Sequence, residues 1–114
     1  MEVQIFGVKN DADTRKALRF FAERRIRVHF VDLKRRAASP GELRRFVQKF
    51  GIDGVVNRGA RKYGALGLNA ARLSDAKWLD LLEREPLLLR MPLVRSGTRI
   101  TAGPAEADWR TWTD

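Results

Sequence analysis

The chain has 114 residues, 44% of them hydrophobic, and carries a formal net charge of +9 at pH 7. This length and composition predict a soluble globular protein with a single core. The chain contains no cysteine, which excludes disulfides, thiolate metal sites and thiol catalysis within it. No apolar run approaches the roughly 20 residues that span a bilayer, and the N-terminus lacks the features of a secretion signal. We therefore expect a cytoplasmic protein without membrane association.

The first predicted strand runs from Val3 to Phe6, and Gly7 to Asn10 form a loop before a helix that opens at Asp11 or just after it. Asp11 lies where a carboxylate caps the free N–H groups of a helix and complements its dipole. A loop that runs into a helix N-terminus is a natural place for anion binding or nucleophile activation. This corner is therefore the candidate functional site, and in this chain it holds a carboxylate.

The next segments predict a second strand, parallel to the first, and then a helical region. Residues 27–32 read as a strand, in which residues 27–30 alternate between polar and apolar side chains. A compact strand–helix–strand unit makes a right-handed crossover. Ser39 and Glu42 form a capping-box pattern at the start of a helix that we expect Gly51 to end. Residues 60–66 predict a short helix. A further helix over residues 74–84 is expected to turn Trp78, Leu81 and Leu82 inward and Lys77, Asp80 and Glu83 outward.

The last third of the chain predicts a hairpin and a final helix. Residues 91–94 read as a strand, 95–98 as a turn that contains Gly97, and 99–102 as the return strand. Gly103 and Pro104 then interrupt the chain. In the last short helix, Trp109 and Trp112 are spaced to pack on the sheet.

Five segments in this order carry a family resemblance: FGVKNDADTRKALRFF, SPGELRRFV, VVNRGARKYGALGL, LSDAKWLDLLEREPLLLRMPLV and GTRITAGP. With them the chain resembles the arsenate reductase (ArsC) and Spx family of thioredoxin-fold proteins over nearly its whole length. The resemblance implies an α/β thioredoxin-like fold with a four-stranded mixed sheet. It also implies a single domain over residues 1–114, with a helical insertion over about residues 39–84.

The resemblance places the family's cysteine nucleophile at Asp11, aligned by Asn10 before it and Arg15 after it, and the second cysteine of CxxC members at Thr14. A carboxylate cannot replace a thiolate in thiol exchange. It would also repel an oxyanion by about 4 kcal/mol at a separation of roughly 4 Å and an effective dielectric constant of about 20. We interpret Asp11 as a helix cap at a lost active site, and an active-site acid is the alternative.

Three further binding positions follow from the resemblance. Arg58 matches a family arginine, and Pro92 matches the proline that is usually cis beside the active corner of a thioredoxin fold. Met91 stands where the reductases carry an oxyanion-binding arginine, and Arg90 lies one place earlier. If Arg58 and Arg90 converge on Asp11, they form a charge-paired pocket. For each arginine the alternative is an exposed side chain with no role in a site.

Other ligands are weakly indicated. The only histidine, His29, alternates with Val28 and Phe30 in a predicted strand, and we interpret it as structural because metal sites need clustered ligands. No metal or cofactor is expected from the residues, and glutathione enters only through the resemblance. The net charge permits attraction to nucleic acid, but the basic residues are spread along the chain, which favours a solvated basic surface.

Two functions from different classes compete. The first is a family member that lacks the redox cysteine, is inactive as a thiol reductase, and acts by binding a regulatory or macromolecular partner. Spx-like proteins bind RNA polymerase, so the resemblance points to the transcription machinery. The alternative is an arsenate reductase-like oxidoreductase, coupled to glutathione or glutaredoxin, whose nucleophile is altered in this chain. Direct nucleic-acid binding is a third hypothesis, and it rests on charge alone.

Overall fold

The computed structural model describes residues 1–113, which form two compact units. The first unit combines residues 1–36 with the segment that begins at Met91, and the second unit is Ala37–Arg90. The helices are α1 (Ala12–Glu23), α2 (Pro40–Val55), α3 (Arg61–Ala65), α4 (Asp75–Arg84) and α5 (Glu106–Thr113). The strands are β1 (Glu2–Gly7), β2 (Arg27–Asp32), β3 (Leu93–Ser96) and β4 (Arg99–Ala102).

The first unit is built on a four-stranded mixed sheet with the strand order β2-β1-β3-β4. β1 pairs in parallel with β2 and antiparallel with β3, and β3 pairs antiparallel with β4. Parallel neighbours need a crossover, and α1 supplies it. The sheet confirms the α/β, mixed four-stranded architecture that the resemblance implied.

One hydrophobic cluster of the first unit joins its sheet to α1 and α5. Val3 and Ile5 of β1 are buried together with Phe20 and Phe21 of α1 and Trp109 of α5. The rings of Phe20 and Phe21 meet edge to face with centroids 5.0 Å apart, and Trp109 lies 5.5 Å from Phe21. The partly buried Trp112 packs against the same cluster, so the predicted packing of both tryptophans is confirmed.

The hairpin forms as predicted, but its first strand is shorter. β3 begins at Leu93, two residues after the predicted start at Met91, because Pro92 has no N–H to donate to a strand ladder. Ser96 pairs with Arg99, so the turn consists of two residues. Gly97 in this turn has a φ of 63°, a conformation that glycine adopts without a steric penalty.

The start of α2 matches the sequence prediction, and its end does not. The Ser39 hydroxyl accepts a hydrogen bond from the Glu42 N–H at 3.2 Å, and the Glu42 carboxylate accepts one from the Ser39 N–H at 3.0 Å. Gly51, the predicted end, is instead a kink with a φ of 72°. The chain resumes helical geometry after Gly51 and continues to Val55, whose side chain is fully buried.

The predicted inner face of α4 was too wide. Trp78 and Leu82 are buried, whereas Leu81 is only half-buried. Residues four apart lie on one face of a helix, and Leu81 sits at the edge of that face. α4 therefore exposes part of an apolar side chain that the sequence pattern assigned to the core. α3 runs close to the predicted 60–66 range.

Candidate functional site

The β1–α1 corner is the stretch from Gly7 to Asp11, where β1 ends and α1 begins. Asp11 is the N-cap of α1, with an extended backbone (φ −84°, ψ 126°). Its Oδ2 accepts two hydrogen bonds of 2.8 Å, one from the backbone N–H of Thr14 and one from the Thr14 hydroxyl. The carboxylate thus has the capping role predicted for it.

Thr14 and Gly7 close the interior of this corner. The Thr14 side chain is fully buried, and its hydroxyl donates a hydrogen bond to Asp11 Oδ2. A Cβ added to Gly7 would lie 2.4 Å from Thr14 Oγ1 and 2.7 Å from Thr14 Cγ2. Glycine is therefore required at position 7 by the close approach of Thr14, a constraint that sequence reasoning missed because it used Gly7 only as the end of a strand.

The outer side of the corner is polar and exposed. Lys9 and Asn10 are exposed loop residues. The Arg15 guanidinium donates a hydrogen bond of 3.1 Å to the Lys9 carbonyl, which ties the loop to the first turn of α1. Arg15 therefore contributes to the geometry of the loop, and its binding role stays a prediction.

Pro92 lies beside the corner in the first unit. The Met91–Pro92 peptide is cis, as the resemblance implied, and Pro92 is buried. Phe6 of β1 pairs with Leu93 of β3, so the antiparallel register brings Pro92 next to the end of β1 at Gly7. The Pro92 carbonyl accepts a hydrogen bond of 2.9 Å from Gly103, which holds this loop against the residue after β4.

Arg58 belongs to the second unit and is held by side chains of that unit. Its guanidinium donates to the Tyr63 hydroxyl at 2.8 Å and to the Asp53 carboxylate. The Asp53 hydrogen bond is the main reason that the pKa of Arg58 is raised above its usual value, and electrostatic interactions with Tyr63 and Asp53 add to it. Tyr63 is buried, whereas Arg58 and Asp53 are exposed. The Arg58–Asp53 pair was not predicted, because Asp53 follows the kink in α2 that the sequence pattern read as a helix end.

Arg90 is anchored through its backbone, since its N–H donates to the Val55 carbonyl at 2.7 Å. Its side chain is exposed. The convergence of Arg58 and Arg90 on Asp11 stays a prediction.

No metal-binding cluster of three or more His, Asp or Glu side chains occurs within residues 1–113. His29 is an exposed residue of β2. In the same part of the chain, no helix has the length and apolar character needed to cross a membrane.

The chain matches a family model and one named regulator. The model described as "ArsC family" matches residues 6–112. Over 112 residues the chain is 28% identical to "Global transcriptional regulator Spx 2" of Oceanobacillus iheyensis, with 96% of this chain and 82% of that protein covered.

Solved structures show the same fold. The YFFB protein matches with a TM-score of 0.89 and 23% identity, over 98% of this chain and 99% of that one. The arsenate reductase from Vibrio cholerae matches with a TM-score of 0.80 and 22% identity, over 90% of each chain. At these identities, the two structures establish the thioredoxin-like fold only. The chemistry of the β1–α1 corner has to be argued from its own residues.

Proposed function

The chain belongs to the ArsC family, and we propose that it is a member without thiol-reductase activity that acts in the cytoplasm by binding a macromolecular partner. One observation carries this proposal: the residue at the family's nucleophile position, Asp11, accepts two hydrogen bonds from Thr14. The corner is thus occupied by a structural cap instead of a reactive group.

The physical chemistry of this cap supports a non-catalytic role. Thiol exchange needs a polarisable sulfur nucleophile, and a carboxylate engaged in helix capping cannot supply one. The negative charge of Asp11 also opposes the entry of an oxyanion into the corner. The Thr14 hydroxyl, which donates to Asp11, is fully buried and is therefore shielded from any substrate at the surface of the corner.

The partner that we propose is a protein of the transcription machinery. The support is the similarity to a relative named as a global transcriptional regulator. The net charge of +9 further favours a partner with an acidic surface, since complementary charge speeds encounter.

The test is affinity capture from a lysate of the source cells, with the tagged full chain as bait and a charge-matched unrelated protein as control. We expect a transcription-machinery protein to be enriched on the bait, and equally so with and without a thiol reductant, since the chain has no cysteine. Capture that enriches no such protein over the control would count against the proposal.

The second candidate is an arsenate reductase-like oxidoreductase whose nucleophile is altered. It is favoured by the arrangement around Asp11, where a strand end, a helix N-terminus and a cis proline are brought together in the first unit. In this case a cysteine at position 11 would restore the missing group.

Calorimetric titration of glutathione and arsenate into this chain and into Asp11→Cys, with a coupled reductase assay, separates the two candidates. Binding and turnover by Asp11→Cys alone would show a competent pocket that lost only its nucleophile, which supports the second candidate for the ancestral protein. Thiol-dependent turnover by the chain with Asp11 would end the proposal of a non-catalytic member. If neither protein binds, the corner no longer holds a small ligand.

A further inference from the structure

A cavity of about 440 Å³ lies entirely within the second unit, along α4. We call it the α4 groove. Its apolar lining consists of Leu66, Leu68, Leu73 and Leu81, and its charged lining consists of Lys77, Asp80 and Arg84. Neither the family match nor the β1–α1 corner assigns a role to these residues.

The leucines of the α4 groove form a cluster that is partly exposed to solvent. Leu66 is 43% exposed. Leu73 and Leu81 are half-buried, and only Leu68 is buried. Single exposed leucines are common on protein surfaces, but apolar side chains gathered in one depression are typical of a binding site.

α4 presents two different faces. Trp78 and Leu82 are buried. Lys77, Leu81 and Arg84 are spaced four and three residues apart and so form one stripe along the groove. This stripe places an apolar side chain between two cations that are about 10 Å apart along the helix axis, at 1.5 Å per residue.

The two cations of the stripe are available to a ligand. Among the contacts of residues 1–113, the side chains of Lys77 and Arg84 form no hydrogen bond or ion pair. Two other cations of the same unit form ion pairs, Lys62 with Glu85 at 3.3 Å and Arg58 with Asp53. The groove therefore combines an apolar floor with two free positive charges against one carboxylate, Asp80.

We propose that the α4 groove docks an acidic amphipathic helix of a partner protein. The partner helix places apolar side chains against the leucines and carboxylates on Lys77 and Arg84. Since these cations are seven residues apart, the complementary helix carries acidic residues at a spacing of about seven, with apolar residues between them. The inference rests on the proposed binding function and names the surface that performs it. A second copy of this chain fits less well, because two molecules with a net charge of +9 repel each other.

The experiment is a selection of 16-residue peptides from a random display library against the full chain, followed by fluorescence anisotropy with the labelled, synthesised winners. We expect the enriched peptides to carry Leu, Ile or Phe at helical spacing and Asp or Glu one turn to either side. Lys77→Glu/Arg84→Glu should weaken the binding of these peptides at least about tenfold. Leu66→Ser should also weaken binding, and because this leucine is 43% exposed, the variant is expected to fold.

The matched control is Lys16→Glu/Arg19→Glu, which makes the same charge change on α1 in the first unit, at two exposed residues. It should leave peptide affinity within about twofold. Circular dichroism and thermal unfolding of every variant establish that losses of binding are not losses of fold.

Four outcomes would overturn the inference: no enriched peptide, enriched peptides that are basic or lack apolar helical spacing, affinity that is unaffected by the groove variants, or affinity that falls equally in the control. Dimerisation of the unliganded chain that Leu66→Ser abolishes would instead assign the groove to a second copy. Failure of this docking surface can be distinguished from failure of the proposed function. If lysate capture enriches a transcription-machinery protein that the groove variants still retain, partner binding stands and this docking surface is wrong.

Discussion

Asp11 stands where the resemblance places the family's cysteine, and its Oδ2 accepts hydrogen bonds from both the N–H and the hydroxyl of Thr14. The resemblance places the two cysteines of a CxxC motif at Asp11 and Thr14, which are joined here by hydrogen bonds. Such a pair can cap a helix, but it cannot exchange thiols. At the scale of single residues, these contacts stabilise the start of α1.

Removal of the Asp11 cap should destabilise the protein, and the loss should be larger for a substitution that leaves no hydrogen-bond acceptor at position 11. We expect Asp11→Ala to lower the free energy of unfolding by about 1–2 kcal/mol, because the N–H and hydroxyl of Thr14 both lose their partner. Asp11→Asn retains a cap acceptor and should cost only about 0.5 kcal/mol. Urea denaturation measures both values, and equal losses would show that the charge of Asp11 matters more than its hydrogen bonds.

The close approach of Gly7 and Thr14 predicts that a side chain at position 7 destabilises the protein. Gly7→Ala should lower the free energy of unfolding by about 1–3 kcal/mol, since the new methyl group would lie 2.4 Å from Thr14 Oγ1. Thr14→Ala removes the two clashing atoms. The double variant should therefore be more stable than the sum of the single effects predicts, by at least about 0.5 kcal/mol in a denaturant cycle. Strict additivity would contradict the proposed clash.

At the scale of the elements, α1, α2 and α4 begin where a side chain accepts a hydrogen bond from a backbone N–H, and α2 bends at a glycine. Asp11, Ser39 and Ser74 each accept a backbone hydrogen bond as the N-caps of α1, α2 and α4. Gly51 has φ 72° and ψ 171°, a region that is essentially restricted to glycine. The kink in α2 therefore depends on glycine at position 51.

Alanine at two of the three α2 glycines, Gly41 and Gly51, should have opposite effects. A Cβ at either Gly41 or Gly51 meets no atom within 4 Å, so packing does not distinguish them. Gly51→Ala should lower the free energy of unfolding by about 1–3 kcal/mol, because alanine resists the positive φ. Gly41→Ala should raise it by about 0.5–1 kcal/mol, because alanine restricts the unfolded chain. Thermal and urea unfolding of both variants provide the measurement, and a loss of similar size at Gly41 would contradict this explanation.

At the scale of the whole molecule, positive charge is distributed over both units. Arg24 and Lys34 are exposed in the first unit, and Arg44 and Arg72 are exposed in the second. A distributed charge attracts polyanions without selecting among them. This surface favours encounter with an acidic partner and does not by itself define a nucleic-acid site.

Duplex DNA of any sequence should therefore bind weakly and with the same affinity. We expect unrelated 20-base-pair duplexes to give equal dissociation constants, which rise at least about tenfold between 50 and 200 mM salt. Fluorescence anisotropy at several salt concentrations measures this. A clear preference for one sequence, retained at the higher salt concentration, would instead support the direct nucleic-acid hypothesis.

Much of the fold and part of the site could be predicted from the residues alone. The caps at Asp11 and Ser39, the parallel second strand and the Gly97 turn were predictable, because each depends on contacts between residues near in sequence or on one repeating pattern. The absence of a thiol was likewise evident from the composition. These features determined that the corner of this chain carries a helix cap and no thiol.

The tertiary structure decided what the patterns left open. It packed Thr14 against Gly7, gave Arg58 the partners Asp53 and Tyr63, and left Leu81 half-buried in a groove. Each of these outcomes depends on which surface another element covers, and hydrophobic periodicity along one helix or strand does not contain that information. The sequence by itself determined that the corner has no thiol, whereas the tertiary structure decided which leucines and cations line the α4 groove.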